Sequence, residues 1–212
     1  NYRLTTEVPF PAAHHDSARA VQFLRHNAKR WNLDPKRIAA TGGSAGGGIS
    51  LWLAFHDDLA DPKSDAPITR QSTRLTCVSV SAAQSSYDPR FAASIGLPRL
   101  AEHPFFLPCY GITRDEIDSP KAYKLYDEAA AITHLTADDV PVHMTYGDAD
   151  VPITDDTSLN VIVHHPKFGI ALRERMDKLG IECIVQYRDQ PGGSPRMSAV
   201  AFFLKHFGLQ GQ

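Results

Sequence analysis

The apolar residues of this chain follow two alternating periods. Short apolar runs bounded by turn residues lie at 38–41, at 75–81 (Leu75, Cys77, Val78, Val80), at 140–146 and at 181–187, and each predicts a buried strand. Residues 1–4 read as the end of a further strand. Between these runs the spacing is helical. Ala13, Ala20, Val21, Phe23, Leu24, Ala28 and Trp31 form one stripe over 12–31, and Ile49, Leu51, Trp52, Leu53, Ala54 and Phe55 form another, closed by Asp57 and Asp58. Helices are also predicted over 121–130, over 165–179 with Gly180 as its stop, and over 197–207 with Gly208 as its stop. Strands that alternate with helices predict an α/β fold with a mostly parallel sheet covered on both faces. With no internal repeat, charge block or linker, residues 1–212 read as a single domain.

Loops punctuate this pattern at Pro9 and Pro11, at Asp34-Pro35, over 61–73 and over 190–195. The stretch 84–139 is long and mixed, with five prolines outside its helix and aromatics at Tyr87, Phe91, Phe105, Phe106 and Tyr110. An excursion of this kind between two strands suits a pocket wall or partial cap, or ordinary packing helices on the sheet.

Composition narrows the function classes. A 42% hydrophobic and 22% charged chain is ordinary for a globular protein. A formal net charge of −2 favours neither nucleic acid nor an anionic membrane as partner. No apolar run approaches the roughly 20 residues of a membrane span. Cys77, Cys109 and Cys183 are widely spaced, and Cys77 and Cys183 sit in strand-like runs as small hydrophobes. No histidine–carboxylate cluster has a metal spacing in the sequence.

The chemistry concentrates at Gly42-Gly43-Ser44-Ala45-Gly46-Gly47-Gly48. A strand enters this stretch and a helix leaves it, which is the context a G-x-S-x-G nucleophile elbow requires. Small neighbours at Gly42 and Gly46 allow a tight turn that lifts the Ser44 hydroxyl clear of the sheet. The helix N-terminus then faces Ser44, and the Ala45 N–H is placed to donate to an oxyanion. A glycine-rich phosphate loop or a plain strand–helix turn would share the same letters.

Tyr2-Arg3-Leu4-Thr5-Thr6-Glu7-Val8-Pro9-Phe10-Pro11-Ala12-Ala13-His14-His15-Asp16 resembles the Y-R-L-A-P-E-x-x-F-P-A-A-x-x-D segment of bacterial hormone-sensitive-lipase-type esterases. Asp34-Pro35-Lys36-Arg37-Ile38, followed by Gly42-Gly43-Ser44-Ala45-Gly46-Gly47, resembles that family's D-P-x-R-I and G-D-S-A-G-G. The resemblance is strong over 1–60. Thr5-Thr6 replaces A-P, and Gly43 replaces the family's Asp. The resemblance implies an α/β-hydrolase fold and a serine carboxylesterase that cleaves small acyl esters without a cofactor. It implies Ser44 as nucleophile, with Gly43, Ala45 and Gly46 shaping the elbow and oxyanion site.

Such a triad runs in chain order Ser, Asp/Glu, His. Asp150 holds the position where the family places its carboxylate, with Asp148 the alternative. The family's base lies in the loop before the final helix, yet 188–196 contains no histidine. His206 falls too far along that helix. His164 and His165, after Asp150 on the face of Ser44, are the relocated candidates, and either one is equally suited to capping a helix or packing on the loop. His14, His15, His103 and His134 have milder claims as pocket residues. Loss of the base would instead leave a ligand-binding module.

The family's H-G-G-G oxyanion segment is also absent. The 43 residues before Ser44 have room for one strand and one helix only. The 212 residues are therefore expected to be the C-terminal part of a longer hydrolase, with an open edge on the Ile38 strand. A homodimer through that edge follows as an expectation.

Overall fold

The computed structural model describes residues 1–191 and 196–209. Four strands form one parallel sheet in the order β1-β2-β3-β4: β1 (Ala40–Gly43), β2 (Val78–Ser81), β3 (Val142–Ala149) and β4 (Cys183–Arg188). The helices are α1 (Ala12–His26), α2 (Ala45–Phe55), α3 (Pro89–Ser94), α4 (Phe106–Tyr110), α5 (Pro120–Ala129), α6 (Ala131–His134), α7 (Leu159–Val163), α8 (Lys167–Lys178) and α9 (Ala199–His206).

Strand alternation sorts the sheet into two faces. Val78, Val80, Val142, Met144, Cys183 and Val185 enter a core with Leu51 and Trp52 of α2 and Leu172 and Met176 of α8. Ser79 and His143 point to the other face, where the Ser79 hydroxyl lies 2.8 Å from His143 Nδ1 and the His143 ring lies 5.5 Å from that of Phe202 on α9. Cys77 and Cys183 are buried free thiols, each pushed up in pKa by burial. Because all strands are parallel, their C-terminal ends open on one rim, and loops there build the site.

The structure departs from the sequence expectations in several places. Residues 1–4 are not a strand, and Leu4 is 57% exposed. No described strand lies beside β1 to pair with them. The first helix stops at His26 rather than at Trp31; Asn27 is its C-cap, and the Asn27 side chain donates to the Phe23 carbonyl at 2.9 Å. Phe23 and Trp31 then pack on each other, ring centroids 5.4 Å apart, on the outer surface. β3 runs on to Ala149, with a register irregularity after Thr145, instead of closing in a turn at Gly147. Part of the predicted 190–195 loop, residues 192–195, lies outside the described residues.

The excursion 84–139 folds into α3 to α6 and contributes two apolar clusters. Phe10, Tyr87, Phe106, Tyr110 and Tyr126 form one. Leu97 and Leu100 join Ile162, Val163 and Phe168 in the other, which seats α7.

Candidate active site

The elbow follows directly from the glycines around Ser44. Ser44 itself has φ 49 and ψ −117, a strained conformation for a residue with a side chain. Its N–H donates to the Ser81 carbonyl at 2.9 Å, which locks the turn to the end of β2. A Cβ on Gly42 would sit 2.5 Å from the Gly46 carbonyl carbon and oxygen, so the entering strand and leaving helix touch backbone to backbone. A Cβ on Gly46 meets nothing within 4 Å, so the crowding lies at Gly42, at Gly47 against Ala83 and at Gly48 against the Tyr87 ring. The expectation that Gly46 is needed for close approach is thereby corrected: its own Cβ direction is open. A Cβ on Gly43 would meet the Ser81 hydroxyl at 3.2 Å.

His164 reaches Ser44. Its Nε2 lies 2.7 Å from the Ser44 hydroxyl oxygen. The residue is the C-cap of α7, and several contacts fix its place. Ser158 caps α7 by accepting from the Val161 N–H. Ile162 and Val163 are buried in the cluster with Leu97 and Leu100. Gln84, buried after β2, donates through Nε2 to the Val163 carbonyl. Arg99 Nη1 donates to the Asp155 and Thr157 carbonyls at 2.8 and 3.0 Å, tying the approach to α7 onto the excursion. Nothing in the sequence pattern marked Gln84 or Arg99. A carbonyl-binding arginine has no periodic signature and shows only once the two loops are adjacent.

His165 is not at the site. It is fully buried, its Nδ1 accepts from the Lys167 N–H at 3.3 Å, and its Nε2–H donates to the Val151 carbonyl at 3.1 Å. Burial lowers its pKa, so it stays a neutral brace for the 151–167 segment. The two histidines are consecutive, but His164 is the C-cap of α7 and faces the cleft, while His165, one residue beyond, is buried.

Asp150 is likewise not brought to the Ser44–His164 pair. It is exposed, and among the described residues it makes no hydrogen bond to His164. Its field falls on His165 instead. β3 continues to Ala149, so Asp150 directly follows the strand instead of sitting inside a turn that starts at Gly147. Asp148 lies 3.7 Å from Arg188 and does not reach His164 either.

Ser44 and His164 open into a cleft of about 430 Å³, lined on its apolar side by Leu4, Ile49, Tyr87, Phe105 and Val163. Ala45 also lines it, and its N–H is the first of the helix N-terminus. His103 stands in the same cleft with its pKa lowered, by burial first and then by His164. Its Nδ1 accepts from the Phe105 N–H at 3.3 Å. His14 lines the cleft too, but both its ring nitrogens are buried without partners. Burial first, then neighbouring His15 and His56, takes its pKa to about 3. Cys109 is inert as a thiolate, pushed up to about 12 by burial. His206 lies 3.1 Å from Glu182 on the final helix, away from this cleft.

Comparison with known proteins bears on the fold. A family model described as BD-FAE matches residues 1–94. The probable carboxylic ester hydrolase LipM of Mycobacterium tuberculosis is 30% identical over 159 residues, covering 72% of this chain and 34% of LipM. The carboxylesterase NlhH of the same species is 46% identical over 54 residues, 26% of this chain and 17% of its own length. The chain thus spans about a third or less of the length of these relatives. Among solved structures, an acetyl ester-xyloside bifunctional hydrolase from Caldicellulosiruptor lactoaceticus superposes with TM-score 0.66 at 20% identity, over 99% of this chain and 70% of that one. A Thermogutta terrifontis esterase with propionate bound gives TM-score 0.61 at 20% identity, over 99% and 71%. Structural likeness at this identity establishes the fold, and the sequence relatives are ester hydrolases. The chain has the α/β-hydrolase fold, and in sequence it is similar to bacterial carboxylic-ester hydrolases over part of their length.

Proposed function

We propose that this chain carries the nucleophile and base of a serine carboxylesterase that cleaves small acyl esters. The observation that carries the reading is the 2.7 Å contact between the Ser44 hydroxyl and His164 Nε2 at the mouth of an apolar cleft. Ser44 donates its proton to Nε2 as its oxygen attacks the ester carbonyl. The oxyanion that forms accepts from the Ala45 N–H at the N-terminus of α2, where the helix dipole adds to the stabilisation. His164 then returns the proton to the departing alcohol. A water deprotonated by the same ring hydrolyses the acyl-enzyme. No cofactor enters these steps. Residues 84–139 serve as the pocket wall through Tyr87, His103, Phe105 and Cys109. The cleft is small and mainly apolar, which suits a short acyl chain. Asp150 is left without a role in orienting His164, so the pair acts as a dyad.

The alternative of a base-less binding module rested on the absence of histidine from 188–196, and a histidine in contact with Ser44 removes its motive. A fluorophosphonate probe tests the reading, since it labels only an activated serine. Labelling at Ser44 is expected in the unaltered chain and should slow by about 10²–10⁴-fold in His164→Ala. Equal labelling in both proteins, or none in a folded unaltered chain, overturns it.

A further inference from the structure

A second cluster lies at the opposite end of α2 from Ser44, roughly 16 Å along the helix at about 1.5 Å per residue. His56 follows α2, Glu128 lies in the last turn of α5, and His134 ends α6. One donor atom from each lies within 4.8 Å of the others. The proposed hydrolysis uses none of them.

The hydrogen bonds fix which atoms carry lone pairs. His56 Nδ1 is 3.0 Å from the Asp57 carbonyl, which can only accept, so that nitrogen bears the proton. His56 Nε2 then presents its lone pair to Glu128 Oε1 at 3.2 Å. Two acceptors at this distance repel unless a cation stands between them, either a proton or a metal ion. His134 Nε2 donates to the Glu128 carbonyl at 2.8 Å, which leaves its Nδ1 as the lone-pair nitrogen. A carbonyl behind each imidazole is the arrangement that fixes the tautomer of metal-binding histidines. The His56–Glu128 separation also matches the roughly 3.3 Å between donors of a tetrahedral zinc ion with bonds of about 2.0–2.1 Å. Trp52 walls the cluster, its ring 4.0 Å from that of His56 and its Nε1–H donating to the same Glu128 carbonyl at 2.9 Å.

We propose that His56, Glu128 and His134 form a binding site for a divalent first-row transition ion of the zinc type, with water in its remaining position. Two imidazoles and a carboxylate select this class over calcium or magnesium, which take oxygen ligands. The ion ties the C-terminal end of α2 to α5 and α6, so it braces the helix that carries Ser44 without touching the reaction.

The test uses the full 212-residue chain after chelator treatment. Zinc titration by calorimetry should show one saturable site, with Tm raised by about 5–10 °C at a hundredfold excess over Kd. In a Trp31→Phe background, copper should quench Trp52 fluorescence saturably. Ser44→Ala and His164→Ala should keep both signals. The double variant His56→Ala, His134→Ala should lose at least tenfold in zinc affinity and the quenching, while retaining ester hydrolysis. Undiminished binding in that double variant places the ion among the other histidines and overturns the proposal. Should the double variant not fold, Glu128→Gln is read in its place. No zinc binding by the folded, unaltered chain also overturns it and leaves a proton as the only bridge.

Discussion

Two neighbouring histidines with opposite fates show how much at this site turns on one residue. His164, the C-cap of α7, meets Ser44, and His165, one residue beyond the cap, is buried against Val151. The kinetic expectation separates them from Asp150. Ser44→Ala and His164→Ala should each remove nearly all ester hydrolysis. Asp150→Asn should change kcat by less than about threefold, whereas an acid that orients the base costs about 10⁴-fold when replaced this way. A large loss in Asp150→Asn, measured with p-nitrophenyl butyrate, would restore a triad that the structure does not bring together. A second expectation concerns His14. Its folded pKa of about 3 lies below the ordinary 6.5, so the unfolded chain binds the proton first as pH falls. Stability is therefore complete above about pH 6.5 and declines toward pH 3, by at most about 1.4 kcal/mol per pH unit for this ring. His165, lowered in the same direction, adds to the decline. His14→Leu should flatten the acid limb of urea unfolding measured between pH 7 and 4. It should also match or exceed the parent's stability at pH 7.5, since two partnerless nitrogens leave the interior. An unchanged acid limb would mean that His14 is not the titrating group.

At the scale of elements, the elbow and its helix were legible because their signal is local. Glycine spacing, an apolar run and a helical stripe all sit within 38–55, and β1, Ser44 and α2 follow one another as that pattern predicts. The same local logic supports a contrast between two glycines of the motif. Gly42→Ala forces a Cβ to 2.5 Å from Gly46 backbone, so the turn must open. The expected outcome is a loss of about 1–3 kcal/mol in stability and a greater loss of activity, because Ser44 moves with the turn. Gly46→Ala meets open space in the first turn of α2 and gains helix propensity, so stability should hold or rise by up to about 1 kcal/mol. Parallel thermal melts and fluorophosphonate labelling of the two variants decide the point, and equal damage from both would contradict it. What the sequence concealed is of another kind. The end of β3 and the aim of Asp150 depend on β4, paired at Ala149 and Arg188, and no local pattern records a cross-strand partner. The seat of α7 depends on Leu97, Leu100 and Arg99, some sixty residues upstream, which meet it only after folding. The predicted strand at 1–4 failed for the same reason: its letters suit a strand, but a strand needs a neighbour.

At the scale of the whole molecule, the sheet ends at β1. This strand pairs with β2 alone, and Thr41 and Gly43 are exposed on its free side. Among the described residues no backbone group pairs with that side. Phe23 and Leu24 on α1 and Trp31 beyond it are also exposed, 39–45% each. An unpaired parallel edge is a template for association, and charged residues that would blunt it are missing from Ala40-Thr41-Gly42-Gly43. Where such groups are buried without partners they cost roughly 1–3 kcal/mol each, against a total stability of about 5–15 kcal/mol. We therefore propose that the isolated 212-residue chain covers this edge with a second copy, most simply about a two-fold axis. Light scattering should give twice the chain mass of 23.3 kDa. Thr41→Pro supplies a control, because proline removes a backbone donor at the edge and blunts further pairing. It should shift the mass toward the monomer. If the unaltered chain is instead a monomer with cooperative unfolding at every concentration tested, water satisfies the edge and the dimer reading fails. If Thr41→Pro stays dimeric, the contact runs through Phe23, Leu24 and Trp31 rather than through the strand, and the edge is likewise excluded as its cause.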